Sequence, residues 1–294
     1  MLLCPGQGGQ HLGMFDLARS DPAGAGLLAS LSLPALDAGT LFSNAAAQPL
    51  IVAAALATWE VLRRQLPPPD LVAGYSVGEL AAWAVAGAVT AADAVALARA
   101  RASAMDGAAA GVPQALYALG GLPVAQLAAR AGEALFAPAI LTGDDSLIAG
   151  GLEADAGRLE AAMRLPGARL QRLPVSVASH TPLMAAAVAP FAAALAATPF
   201  ALPLCPVLSG IGATPLVRKA EAVEHLSRQL AQTIRWHACM DAAVERGVRV
   251  VLELGPGAAL SQMMRARHPQ VACRSVSEFR SVAGVCNWVG SHAG

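Results

Sequence analysis

Apolar positions along the chain fall into short runs separated by longer stretches of helical period. From about Pro49 to Gln65, Leu50, Ala54, Leu56, Val61 and Leu62 recur on one face, which predicts a helix that Pro67-Pro68-Pro69 then stops. Leu71-Val72-Ala73 follows as a short buried strand. After it come Gly74-Tyr75-Ser76-Val77-Gly78 and a helix through Glu79, Leu80, Ala82 and Trp83 to about Ala86. A further helix is predicted from Ala91 to about Met105. The chain itself opens on Leu2-Leu3-Cys4, a strand-like run, and the glycine loop Pro5-Gly6-Gln7-Gly8-Gly9-Gln10.

Residues 112–176 have a different texture. Leu116-Tyr117-Ala118-Leu119 reads as a strand and 123–131 as a helix. Ala139-Ile140-Leu141 and Leu147-Ile148-Ala149 read as strands, 152–163 as a helix, and 169–175 as a last strand. That β-α-β-β-α-β order predicts a ferredoxin-like small subdomain inserted at 112–176. Residues 1–111 and 177–294 are then expected to form one large α/β domain.

Beyond the insert, helices are predicted near 183–197, 217–231 and 236–246, with a strand at Pro206-Val207-Leu208. Val248 to Leu254 is the clearest late strand; it feeds Gly255-Pro256-Gly257 and a helix through Leu260 and Met264. The last twenty or so residues show no strong period. Strands alternating with helices predict a mostly parallel sheet covered on both faces.

Composition narrows the class. Hydrophobic residues make up 55% of the 294, but much of that is alanine, which builds helices and buries little area each. No uninterrupted apolar stretch reaches the roughly 18 residues of a spanning helix. The run from Pro182 to Pro206 comes nearest, and prolines cut across it. No charged n-region precedes an apolar segment at the start, so neither a signal peptide nor a membrane partner is expected. The five cysteines form no CxxC pair, which argues against a disulfide scaffold or structural zinc and fits a reducing cytoplasm. A net charge of zero without a long basic run makes nucleic acid an unexpected partner.

The sharpest chemical signal is Gly74-Tyr75-Ser76-Val77-Gly78 between a strand and a helix. In that setting a strained turn lifts the serine Oγ off the sheet and places it at a helix N-terminus, where free N–H groups favour an oxyanion. The pentapeptide also arises by chance in chains rich in alanine and glycine. A serine nucleophile needs a base. Of the six histidines, His225, His237 and His268 lie in helical or charged stretches and His292 in the terminal tail. His11 follows a glycine loop. His180 stands between a predicted strand end and Thr181-Pro182, where side chains at the carboxyl edge of a parallel sheet converge; a loop histidine capping the next helix is the plain alternative. No acidic residue follows in the place of a third triad member, leaving room for a backbone carbonyl to orient the base.

The set Pro5-Gly6-Gln7-Gly8-Gly9-Gln10, Gly74 to Glu79, Arg101, Ser179-His180-Thr181-Pro182-Leu183-Met184, Gln229-Leu230 and Glu253-Leu254-Gly255-Pro256-Gly257 resembles the malonyl-CoA:acyl carrier protein transacylase family along nearly the whole chain. Tyr75 and the stretch Ser277 to Gly284 look most like its malonate decarboxylase epsilon branch. The resemblance implies a hydrolase-like α/β fold and a Ser76 acylated by malonyl-CoA, with His180 as base and then acid. It implies an oxyanion hole from the backbone N–H groups of Gln7 and Val77, and a histidine-orienting carbonyl near Gly255-Pro256-Gly257. It makes Arg101 the clamp for the malonyl carboxylate, with Gln229 and Tyr75 lining the site. A planar guanidinium fork suits a carboxylate, although Arg101 and Gln229 taken alone would read as helix surface. The implied partners are malonyl-CoA, a small carrier protein with a phosphopantetheine-type arm, and other malonate decarboxylase subunits. No bound cofactor is expected, coenzyme A thioester being a substrate.

Two departures stand out: Tyr75 occupies the place of a usual histidine, and Thr142 that of a frequent asparagine. Three other readings share these residues: a malonyl transacylase of fatty-acid synthesis, a serine thioesterase or hydrolase, and a carrier-docking subunit without catalysis. The glycine loops match neither a Walker A loop nor a dinucleotide fingerprint, and no ligand cluster predicts a metal.

Overall fold

The computed structural model describes residues 1–292 and contains ten strands. They are β1 (Leu2–Cys4), β2 (Val72–Gly74), β3 (Gln114–Gly120), β4 (Ala137–Leu141), β5 (Ser146–Leu152), β6 (Arg169–Arg172), β7 (Val207–Leu208), β8 (Pro215–Leu216), β9 (Val250–Glu253) and β10 (Ala272–Ser275). The larger sheet has the order β10-β9-β1-β2-β7-β8. Its first five strands run parallel, and β8 turns back antiparallel on β7. Every residue of β1 and β2 is buried, as expected of parallel strands covered on both faces. Cys4 is in register with Gly74, and Leu3 with Glu253. The three loops after β1, β2 and β9 therefore leave the same carboxyl edge side by side, where α/β sheets place their sites.

The long helix before β2 spans Asn44–Leu62 and begins earlier than its apolar period suggested. Ser43 caps it by accepting from the Ala46 N–H at 3.4 Å, and Pro49 sits within the second turn. This helix is long and apolar enough to cross a bilayer, yet 83% of its most apolar window is buried inside the protein. It is a core helix, packed against helices Gly78–Val85 and Ala91–Ala109.

Within 112–176 the second sheet has the order β4-β5-β3-β6, antiparallel throughout. Helices Val124–Glu133 and Ala156–Ala162 cover it through Leu127, Phe136, Leu147 and Leu159. Strand β4 also bridges to the segment just before helix Trp236–Glu245: Leu141 N–H donates to the Ile234 carbonyl at 2.8 Å, and Ile234 N–H to the Ala139 carbonyl at 2.9 Å. Two local expectations change. The strand before His180 belongs to this antiparallel sheet and stops at Arg172, so His180 arrives on an irregular segment rather than at the edge of a parallel strand. The terminal residues hold β10 and helix Val282–His292. Arg274, in β10, lies over the Phe279 ring, 4.0 Å from its centroid.

Candidate active site

Ser76 occupies the turn between β2 and helix Gly78–Val85 with φ 56°, a left-handed conformation that an L-residue adopts only under surrounding constraint. Its flanking glycines are sterically required. A Cβ on Gly74 would stand 2.1 Å from the Glu79 nitrogen, and one on Gly78 2.2 Å from the Cys4 carbonyl oxygen. The turn is thus wedged against β1 and its own helix, and Oγ is held above the sheet. His180 shares the left-handed conformation, with φ 65°.

Ser76 Oγ lies 2.8 Å from His180 Nε2, and His180 Nδ1 lies 2.6 Å from the Gln229 carbonyl oxygen. A carbonyl can only accept, so Nδ1 carries the proton and Nε2 is left to receive the serine proton. The His180 backbone N–H donates to the Leu230 carbonyl at 2.7 Å, fixing the segment as well as the ring. Burial, reinforced by the nearby Arg101 cation, pushes His180 down to about 3, so the ring is a neutral base at ordinary pH. The orienting carbonyl is not near Gly255-Pro256-Gly257, as the family resemblance implied. That loop follows β9 and bonds to Ser275 and Ser277. Gln229, at the end of helix Lys219–Arg228, is what reaches His180.

Arg101 projects from helix Ala91–Ala109 and is only 1% exposed. Its Nη2 donates to Ser76 Oγ at 3.2 Å and its Nη1 to Gln48 Oε1 at 2.8 Å. Both acceptors are neutral. Burial pushes Arg101 down to about 9, with Glu79 opposing, so it stays charged near neutrality. The Gln7 loop runs beside the serine turn, where a Cβ on Gly6 would stand 2.6 Å from the Tyr75 oxygen. Val77 is the N-cap of the serine's helix and fully buried. Among the described residues, neither the Gln7 nor the Val77 backbone N–H donates to a protein acceptor.

Gln229 is buried rather than on a helix surface, and its side chain does not face Ser76. Nε2 donates to Glu79 Oε2 at 2.6 Å, so only the Gln229 carbonyl touches the Ser76–His180 pair. Tyr75 packs edge-on against Trp236, centroids 5.2 Å apart, and burial raises its hydroxyl pKa. It also borders a cavity of about 800 Å³ shared with Thr142, Ile148, Met263, Arg267 and His268. Thr142 donates to Ser146 Oγ at 3.0 Å on that wall.

Sequence reasoning missed Gln48 and gave Glu79 no role. The available signal for Gln48 was a polar pair, Asn44 and Gln48, one turn apart at the start of a helix that is then apolar from Pro49 to Ala57. Asn44 accepts from the Gln48 amide and donates to the Ala102 carbonyl, which locks the glutamine toward Arg101.

A hydroxyl bonded to a neutral imidazole, with no carboxylate behind it, is the apparatus of a serine enzyme that moves acyl groups. The chain belongs to the acyl transferase domain family, whose sequence model matches residues 1–287. It is 36% identical over 293 residues to the malonyl CoA-acyl carrier protein transacylase of Mycobacterium tuberculosis H37Rv, covering 94% of this chain and 95% of that one. The crystal structure of that organism's MCAT superposes with a TM-score of 0.89 at 34% identity, covering 97% of this chain and 99% of the other. A type II PKS acyl-carrier protein in complex with its malonyl-transacylase gives a TM-score of 0.86 at 26% identity, with 97% and 98% covered.

Proposed function

We propose that this enzyme transfers a malonyl group from malonyl-CoA to the thiol of a phosphopantetheine-bearing carrier protein through a malonyl-Ser76 ester. The observation that carries the reading is the buried Arg101 guanidinium, hydrogen-bonded among the described residues only to neutral groups and 3.2 Å from Ser76 Oγ. A buried cation without an anion is costly, and an acyl group ending in a carboxylate supplies one at that point.

In the first half-reaction His180 Nε2 takes the Ser76 proton while Oγ attacks the thioester carbonyl carbon. The oxygen gains a negative charge, for which the Gln7 and Val77 N–H groups are the available donors. The carbon–sulfur bond breaks, and coenzyme A takes the proton from His180 to leave as a thiol. In the second, His180 removes the carrier thiol's proton, the sulfur attacks the ester carbonyl carbon, the bond between that carbon and Ser76 Oγ breaks, and His180 returns the proton to Oγ. The Gln229 carbonyl stabilises the imidazolium in both halves. No bound cofactor enters this scheme.

The acceptor is better supported as a carrier of the fatty-acid-synthesis kind than as the malonate decarboxylase carrier. Full-length relatives bear the name malonyl CoA-acyl carrier protein transacylase, and a solved neighbour is in complex with a type II PKS acyl-carrier protein. The C-terminal stretch that suggested the decarboxylase branch has structural tasks: Glu278 pairs with Arg265 at 3.1 Å and accepts from the Ser275 N–H at 2.7 Å. Unpaired cysteines, four of the five buried, suit a reducing compartment and a cytoplasmic assignment. The test is to supply malonyl-CoA with and without a holo carrier. Malonyl-carrier formation supports the reading; free malonate released equally without carrier makes the protein a hydrolase instead.

A further inference from the structure

Glu79 is fully enclosed, on the first turn of the helix that begins beside Ser76. Its Oε2 accepts from two donors of separate segments: Gln229 Nε2 at 2.6 Å and the Gly210 N–H, after β7, at 3.0 Å. A Cβ on Gly210 would stand 3.0 Å from that oxygen and 3.3 Å from the Gln229 amide nitrogen, so the three groups meet with no space between them. Among the described residues, Glu79 Oε1 and Gln229 Oε1 are buried without a hydrogen-bond partner.

We propose that Glu79 is a positioning residue for the base: it ties the serine's helix to Gln229, the residue whose carbonyl aims His180. This rests on the reading that Ser76 and His180 carry the transfer. One carboxyl group then sets both members of the pair. It fixes the nucleophile's helix at one end and, through the Gln229 side chain, the carbonyl that receives Nδ1–H at the other. The hydrogen bonds, not the charge, do the positioning. Burial pushes Glu79 up to about 8 against the pull of Gly210, Arg101 and Gln229, so its neutral form is well populated near neutrality and an amide can replace it.

The experiment compares Glu79→Ala, Glu79→Gln and Gln229→Leu in the full chain, with thermal unfolding followed in parallel. Glu79→Ala is expected to lower kcat about 10- to 100-fold with KM changed less than about twofold, the pattern of a misaimed base rather than lost binding. It should also move the far-downfield proton resonance of His180 Nδ1–H, a signal that a merely structural role would leave in place. Glu79→Gln keeps one oxygen for both donors and should stay within about threefold of wild type, with that resonance unmoved. Gln229→Leu keeps its backbone carbonyl and should reproduce the alanine effect. A folded Glu79→Ala with wild-type kcat and resonance overturns the proposal, as does one that loses only its preference for malonyl over acetyl donors. If Glu79→Ala does not fold, an unchanged kcat and resonance in Gln229→Leu overturns it. The resonance needs no substrate, so a wild type inert toward malonyl-CoA would sink the transfer reading while leaving this one testable.

Discussion

His180 Nδ1 stands 2.6 Å from the Gln229 carbonyl oxygen, so a peptide group, not a carboxylate, orients the base at Ser76. A carbonyl stabilises the imidazolium less than a full negative charge would. Two features of the pocket accommodate that difference: the ring is held neutral at rest, and the Arg101 cation beside it favours returning the proton.

Arg101→Ala should therefore cost donor selectivity more than chemistry. Losing one or two charge-assisted hydrogen bonds predicts a fall in kcat/KM for malonyl-CoA of about 10- to 100-fold. Acetyl-CoA should change far less. Measuring both donors checks it, and equal losses would mean that Arg101 does not read the carboxylate.

Gln48 supports the same guanidinium through Nη1 at 2.8 Å. Gln48→Leu should leave Arg101 free to swing and narrow the malonyl over acetyl preference by about 10-fold, the worth of one hydrogen bond to a charged group. An unaltered ratio would show that the helix alone holds the arginine.

The pH profiles follow from two buried groups. With His180 pushed down to about 3, the acid limb of kcat/KM should fall well below the ordinary histidine value of 6.5. Below 6.5 the unfolded chain binds the imidazole proton and the folded one does not, so His180 makes stability fall as the pH drops from there toward 3. Glu79 acts the other way. Its carboxyl, raised from 4.5 to about 8 by burial, contributes stability that is full below 4.5 and lost as pH rises through about 8. Urea midpoints at the two ends of that second window should differ less for Glu79→Gln than for wild type.

Gly78→Ala tests the steric basis of the serine turn. With the added carbon 2.2 Å from the Cys4 oxygen, backbone must shift. Overpacking of this kind predicts a loss of about 3 kcal/mol or more, read by urea unfolding, together with lost activity. A folded, active variant would show the turn to be looser than its contacts imply.

Much of this architecture was legible because it rests on local rules. The glycines around Ser76, the strand before it and the helix after it are demanded by one strained turn, and a short sequence displays them. Arg101 and Gln229 emerged only through family resemblance, since a helical arginine or glutamine has no intrinsic mark of burial. The orienting carbonyl was beyond sequence reasoning, because every residue carries one and only the fold selects Gln229. The early end of β6 was likewise hidden: the β-α-β-β-α-β order already assigned it to the insert's sheet, but nothing in the sequence showed that its pairing with β3 stops at Arg172.

The most direct test is intact-protein mass spectrometry after brief exposure to malonyl-CoA, with Ser76→Ala alongside. The account predicts a gain of one malonyl group on the wild type only, removed when a carrier thiol is added. An adduct that persists in Ser76→Ala, or its absence from wild type without malonate release, would contradict it.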